Sequence, residues 1–494
     1  MRLPVFRRAC AAASLIIAAF SAAACQKADH GQTKVVVIGD PPTVVDPSNG
    51  PLTEPQAVLL SNVAQGLVGF DASGQIVPGL AERWNVTDDG LSYIFRLQNA
   101  EWPDGRKITA EQVARLLRRQ ITSRSKNPFK DTLGAVAEIV AMTDRVIELR
   151  LESARPDLLQ LLAQPEFAIV RGTSGTGPFQ IAASSKPGFL DLVRTFSNED
   201  EETTTREEVT LAGKPAAAAV QSFLKGETDL VLGGTFGDLP YARADKLPKE
   251  ALRFDPAAGL FGLVPARASG PAADPEIRQL LSRAIDRQAL IDALNVPGLL
   301  PRATLLEPGL EGIAEPAPPP WMGIPVAERR AQLTETARRL FKGDEEPVIR
   351  VSLPEAPGAK VMLGRLAGDW GALGIKVEAA GAGHPADFEL VDAVAPSVSP
   401  AWYLRAFRCG EVPVCDPEAD ELLEGARVAT VAAQRNAFLA QAAQRMDEQQ
   451  LFIPLTAPIR WSLVSERVQG FTTNRFALHT LTSLGERLDR ERGE

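Results

Sequence analysis

Residues 348–391 read VIRVSLPEAPGAKVMLGRLAGDWGALGIKVEAAGAGHPADFELV. Val348–Leu353 is rich in β-branched residues and reads as a strand. Val361, Met362, Arg365, Leu366 and Leu373 then recur at helical spacing. Gly374–Glu378 (GIKVE) and Phe388–Val391 (FELV) are further strand-like runs. A strand, a helix and a strand within about 30 residues form a βαβ unit, whose crossover implies parallel pairing. The fold class expected from this stretch is α/β.

Working outward, Lys34–Ile38 is a short β-branched strand, and Val58, Leu59, Val63 and Leu67 follow helical spacing. Leu91, Tyr93, Phe95 and Leu97 alternate at period two after Asp89-Gly90, which predicts a hairpin with one buried face. Thr109 with Gln112 three residues on reads as a capping box before the apolar face Val113, Leu116, Leu117 and Ile121. Phe167–Val170 reads as a strand, and Asn198–Glu202 as a solvated acidic loop. Beyond Gly259, Ile277, Leu280, Leu281, Ala284 and Ile285 make an amphipathic helix, and Ala432–Met446 another. Trp84 is expected in the core, and Asp286-Arg287 as an ion pair or a cap.

The chain has 494 residues, 45% of them hydrophobic, and a formal charge of −9. That length is enough for about three compact units. An acidic chain lacks the basic footprint of a nucleic-acid binder. Its three histidines, His30, His384 and His479, show no metal-ligand spacing, so neither a metal nor a cofactor is expected. Gly172–Gly177 (GTSGTG) contains neither the Gly-Lys-Ser/Thr ending of a phosphate loop nor the spacing of a serine-nucleophile elbow. No nucleophile and base pair at a recognisable spacing, so catalysis is not expected.

The first 24 residues read as a secretory signal. Arg2, Arg7 and Arg8 precede the apolar stretch Cys10–Ala24. Fifteen residues at 1.5 Å rise span about 22 Å, too short for a ~30 Å hydrocarbon core. Ala22-Ala23-Ala24-Cys25 resembles a bacterial lipobox, in which Cys25 would be lipidated; it departs from that pattern at Ala22, where Leu is usual. The alternative is simple cleavage and release. Either way the chain is exported, and loss of three arginines takes −9 to −12. Residues 25–33 read as a tether. Cys409 and Cys415, with Gly410 and Pro413 between them, read as one local disulfide in an oxidising compartment, the alternative being two reduced thiols.

Several segments taken in order resemble the bacterial extracellular solute-binding proteins of family 5, the oligopeptide-, dipeptide- and nickel-binding group that serves ABC importers. They are Gly66–Asp71 (GLVGFD), Val77–Trp84 (VPGLAERW), Asp89–Arg96 (DGLSYIFR), Trp102–Gly105 (WPDG) and Ile108–Val113 (ITAEQV). Gly175–Phe179 (GTGPF), Lys225–Asp229 (KGETD), Ile277–Arg287 and Asp416–Leu455 continue the match. The resemblance implies a two-lobed periplasmic-binding-protein fold of type II with the ligand cleft between the lobes. Lobe one would take 34–262 plus 456–494, with an extra β-rich subdomain at about 51–170. Lobe two would take 263–455, and Pro265 and Pro454 would lie near the crossings.

It also implies where the ligand sits. The candidates are Gly175, Thr176, Gly177 and Phe179 from the glycine-rich loop, and Asp392, Trp402, Tyr403 and Arg405 from the lobe-two segment Phe388–Arg405. In peptide binders of the family that segment supplies an aspartate for the peptide ammonium group. Here the comparable run Ala395–Pro400 (APSVSP) has no acid, and Asp392 is the nearest carboxylate. The expected function is capture of a short peptide or related solute by a periplasmic monomer that delivers it to an ABC permease, lipid-anchored if Cys25 is modified. Alternatives are a sensory or scaffold lipoprotein on the same fold, or a binder of an opine, a glycoside or a metal chelate.

Overall fold

The βαβ unit forms one edge of a five-stranded sheet whose central strand is Phe388–Val394. Strands Val348–Ser352 and Lys376–Ala379 pair in parallel, joined by helix Pro357–Gly371. Phe388–Val394 pairs in parallel on the other side of the first strand. Gly259–Pro265 and Ile453–Pro454 complete the sheet antiparallel. The helix buries Met362, Leu366 and Trp370, spaced by four residues so that all three face the sheet. Each such side chain contributes about 1.5–3 kcal/mol by leaving water.

The structure is a computed structural model. It describes residues 32–183, 185, 188–198, 203–244, 246–343, 346–381 and 384–484. The signal segment, Cys25 and most of the tether lie outside the described residues, as does most of the acidic loop Asn198–Glu202. Among the described residues no helix is long and apolar enough to cross a membrane.

A second, seven-stranded sheet is centred on Thr33–Ile38, which runs parallel to both Thr203–Lys214 and Leu230–Thr235. Alternation assigns its valines to two cores. Val35 and Val37 pack with Val58, Leu59 and Val63 of helix Glu54–Val63, while Val36 faces the opposite side. That opposite core is continuous between the two sheets, and Phe236, directly after strand Leu230–Thr235 of the seven-stranded sheet, meets Phe261 of the five-stranded sheet edge-to-face at 5.0 Å.

The third unit is a four-stranded antiparallel sheet, Ala81–Val86, Ser92–Leu97, Val136–Thr143 and Val146–Leu151, covered by helix Ala110–Ile121. Tyr93, Phe95 and Leu97 are buried as their period predicts, whereas Leu91 lies before the strand and is exposed. Trp102, not Trp84, is the fully buried indole here. Its ring nitrogen donates to Gln112 Oε1, so only half the capping box forms: Thr109 caps Gln112, but the Gln112 side chain is taken.

Three expectations need correction. The core of the β-rich subdomain runs from Leu67 to Ile169; helix Glu54–Val63, placed in it by sequence, packs on the seven-stranded sheet instead. The whole strand Gly259–Pro265 belongs to the five-stranded sheet, so the chain crosses at 255–258 and not at 262. The return crossing, at 455–459, directly follows Pro454, while Pro265 ends the strand Gly259–Pro265. Phe167–Val170 forms no strand: a 3-10 turn covers Pro165–Phe167, and Phe167 fills the subdomain core. The expectation for Asp286-Arg287 is met as a cap: Asp286 caps the helix Arg287–Leu294, while Arg287 donates to the carbonyls of Ser282 and Pro454.

Cys409 and Cys415 are disulfide-bonded. A cross-link across six residues removes about 2 kcal/mol of unfolded-chain entropy. The double variant Cys409→Ala/Cys415→Ala is expected to lose that much stability, read as a lower urea midpoint for the non-reduced protein only. Equal midpoints would exclude it.

Candidate functional site

The two crossings bring lobe-one segments against a loop of lobe two. Residues 254–257, 457–460 and Thr473 face residues 296–308 across a cavity of about 700 Å³, with Asp255, Arg302, Thr304 and Arg460 among its polar lining. That volume is within the usual range for small-ligand pockets.

Arg460, at the start of strand Arg460–Val464, reaches across to Asp392 on Phe388–Val394 at 2.7 Å. The side chains are 17% and 16% exposed, so this interlobe pair is mostly dehydrated. Burial pushes the Asp392 carboxyl above its ordinary range, and Arg460 reverses this only in part. Beside it, Asp255 meets His479 at 3.2 Å and accepts the Asn474 backbone N–H. A small void of about 60 Å³ lined by Gln65, Gln164 and His479 adjoins this pair.

Two further carboxylates complete the setting. Glu54 opens helix Glu54–Val63, which packs on the turn carrying Glu166. Glu54 keeps solvent-exposed surface, while desolvation by the surrounding protein raises its carboxyl and Arg460 and His479 pull it down. Burial likewise pushes Glu166 up to about 7, with repulsion from Glu54 adding to the shift. Neither side chain has a hydrogen bond or ion pair among the described residues.

The acid-free loop after Asp392 packs against the subdomain. Gln164 donates to the Pro396 carbonyl at 2.7 Å, the Ser397 hydroxyl to Asp157 at 2.9 Å, and the Val398 N–H to Gln160 at 2.9 Å. Lobe two is thereby docked on the helix Leu158–Leu162 of the subdomain.

The residues expected from sequence separate into four places. Gly175, Thr176, Gly177 and Phe179 are fastened to the end of helix Glu54–Val63. A Cβ on Gly177 would lie 2.3 Å from the Asn62 carbonyl, and one on Gly175 2.4 Å from that of Val63, so these glycines permit close backbone packing. Phe179 is buried beneath, and the Thr176 carbonyl accepts Gln65 Nε2. Asp392 is in the interlobe space but already engaged by Arg460. Trp402 and Arg405 line a separate pocket, whereas Tyr403 is core: its hydroxyl donates to Glu307, and burial holds it far above the usual range for a phenol. Glu54, Glu166, Asp255, Arg460 and His479 were not anticipated. Thr53-Glu54-Pro55 reads as an ordinary helix start, and nothing local announces the others' burial.

Two lobes built on separate sheets, joined by two crossings and enclosing a charged interior, define a bilobal binding protein. Residues 75–393 match the family described as bacterial extracellular solute-binding proteins, family 5 Middle, and the chain belongs to that family. Among curated relatives, a probable di/tripeptide-binding protein 5 of Pseudomonas aeruginosa is 25% identical over 486 residues, covering 83% of this chain and 87% of that protein. Among solved structures, the murein tripeptide binding protein MppA of Escherichia coli superposes with a TM-score of 0.77 at 20% identity, covering 91% of this chain and 97% of MppA. Haemophilus influenzae OppA in complex with RPPGFSPFR gives 0.77 at 18% identity, with 92% and 99% coverage.

Proposed function

We propose that this protein is the extracytoplasmic solute-binding component of an ABC importer. It captures a short peptide or a related small solute by lobe closure and hands it to a membrane permease. The observation that carries this reading is the cavity of about 700 Å³ between the crossings and a lobe-two loop, with the Arg460–Asp392 ion pair joining the two lobes beside it. Closure works without covalent chemistry: a solute that contacts both lobes binds the closed form better and shifts the population toward it. The N-terminal segment fits export to the periplasm, with lipid on Cys25 as the anchor.

The chamber also suggests how the ligand is oriented. Asp392 is neutralised by Arg460, so a peptide ammonium group would be met by Glu54 and Glu166. A desolvated cation needs a carboxylate, since leaving it unpaired costs several kcal/mol. Glu54→Gln is expected to weaken binding of a free-amino di- or tripeptide about tenfold while leaving the N-acetylated peptide unchanged.

The pH dependence follows from Glu166. Its folded value near 7 exceeds the ordinary 4.5, so the apo protein holds this proton between those limits. A bound cation requires the ionised form. Binding should therefore expel a proton below pH 7, and affinity should rise from pH 5 to 7 and level off above. Calorimetry in buffers of different ionisation enthalpy reads that proton directly. A pH-flat affinity with no proton release would exclude the assignment. Mass spectrometry of small molecules released from the denatured protein would identify the solute.

A further inference from the structure

A second pocket lies where the β-rich subdomain meets lobe two. It holds about 330 Å³ and is lined from one side by Asp131, Arg155 and Asp157, and from the other by Ser397, Trp402 and Arg405, with Arg408 and Glu411 at the rim. Its three arginines are not equivalently satisfied. Arg408 pairs with Glu411 at 3.3 Å. The side chains of Arg155 and Arg405 have no hydrogen bond or ion pair among the described residues. Arg155 Nε and Arg408 Nε are buried without an acceptor.

The carboxylates in the lining do not compensate. Asp157 accepts the Ser397 hydroxyl, Glu411 is committed to Arg408, and Asp131 is felt by Arg405 only outside ion-pair distance. Arg405 is therefore desolvated and repelled by Arg408, Arg155 and Arg427 at once. Arg155 is desolvated and repelled by Arg435 and Arg427, with Asp157 the one offsetting charge. Holding like charges together away from water is unfavourable unless an anion joins them. A guanidinium presents a planar fork of donors that matches an oxyanion.

We propose that this junction is an oxyanion-binding site, in which Arg155 and Arg405, together with Arg408, take a carboxylate or phosphate group. Because Arg155 belongs to the subdomain and Arg405 to lobe two, the bound anion ties the two together. The anion has two possible sources: the carboxylate end of a solute held in the neighbouring chamber, or a free inorganic ion. The site stands on its own geometry and does not depend on the transport reading.

The test uses the full exported chain at low ionic strength, with inorganic phosphate as one probe and alanyl-alanine against its C-terminal amide as the other. Calorimetric affinities are compared for wild type, Arg155→Gln and Arg405→Gln. A free-ion site predicts phosphate binding that falls at least tenfold in each variant. A solute subsite predicts that alanyl-alanine outbinds its amide in wild type and that this preference disappears in each variant. Arg405→Lys guards against misfolding: it keeps the charge but loses the fork, and should retain the circular dichroism spectrum while losing severalfold in affinity. The proposal is overturned if wild type responds to neither probe, or if both variants respond as wild type does.

Discussion

Replacing Arg460 with leucine is expected to weaken solute binding by about 100-fold or more and to leave the protein in an open form. In the closed form Arg460 is the ion-pair partner of Asp392, and it also donates to the Asp392 carbonyl. Removing it leaves a buried carboxylate unpaired, a change that costs about 3–5 kcal/mol. That penalty falls on the closed form alone, because in an open cleft Asp392 is hydrated. A closing penalty of about 2.7 kcal/mol already corresponds to 100-fold in affinity. Glu54 loses its main positive neighbour by the same change, which adds to the effect. X-ray scattering should show a larger radius of gyration that no longer shrinks with solute, and calorimetry should read the lost affinity. The double variant Arg460→Leu/Asp392→Asn should recover part of it, because a buried amide costs less than a buried carboxylate. Binding of Arg460→Leu within threefold of wild type, with an unchanged scattering curve, would refute the latch.

The second large effect is expected at Gly358, near the start of helix Pro357–Gly371 in lobe two. Its N–H donates to the Gly237 carbonyl in lobe one at 2.9 Å. A Cβ here would lie 2.0 Å from the Phe236 carbonyl oxygen and 2.9 Å from the Gly237 Cα. No rotamer relieves that clash, since the first side-chain atom makes it and both neighbours are backbone. Gly358→Val must therefore push the lobes apart, losing the hydrogen bond and loosening the Phe236–Phe261 contact beneath. Overpacking of this kind costs about 1–3 kcal/mol, and the hydrogen bond about 1 more. We expect a lower melting temperature and an affinity reduced by about 30-fold or more. Gly364, in the same helix, has open space around it, so Gly364→Ala should be neutral or gain up to about 1 kcal/mol. If Gly358→Val melted and bound like Gly364→Ala, the close approach of the lobes would be disproved.

These two positions differ in how far sequence could have identified them. Gly358 sits in the βαβ stretch whose period set the architecture, but its need for glycine comes from a carbonyl more than 120 positions away in the chain. Arg460 follows a proline-flanked crossing, and its partner Asp392 was noticed only as the acid nearest an acid-free loop. The glycines of Gly175–Phe179 were named as ligand candidates, but what they approach closely is the end of a helix. Gln112 was read as a cap because only its own turn was in view; Trp102, ten residues back, takes its oxygen.

From sequence alone came the α/β class, the strands and helices of the βαβ unit, the subdomain hairpin, and the family pattern with its two lobes and binding role. Those properties are written in short-range periodicity and ordered motifs, and the hydrophobic effect reads them locally. Only the folded chain decided which charges share the interior. Glu54, Glu166, Asp255, Asp392, Arg460 and His479 come from segments scattered along most of the chain, and the ionisation behaviour of Glu54, Glu166 and Asp392 depends on the dehydration and neighbours that folding gives them. Burial and proximity are properties of the packed lobes, so no local pattern of residues could carry them.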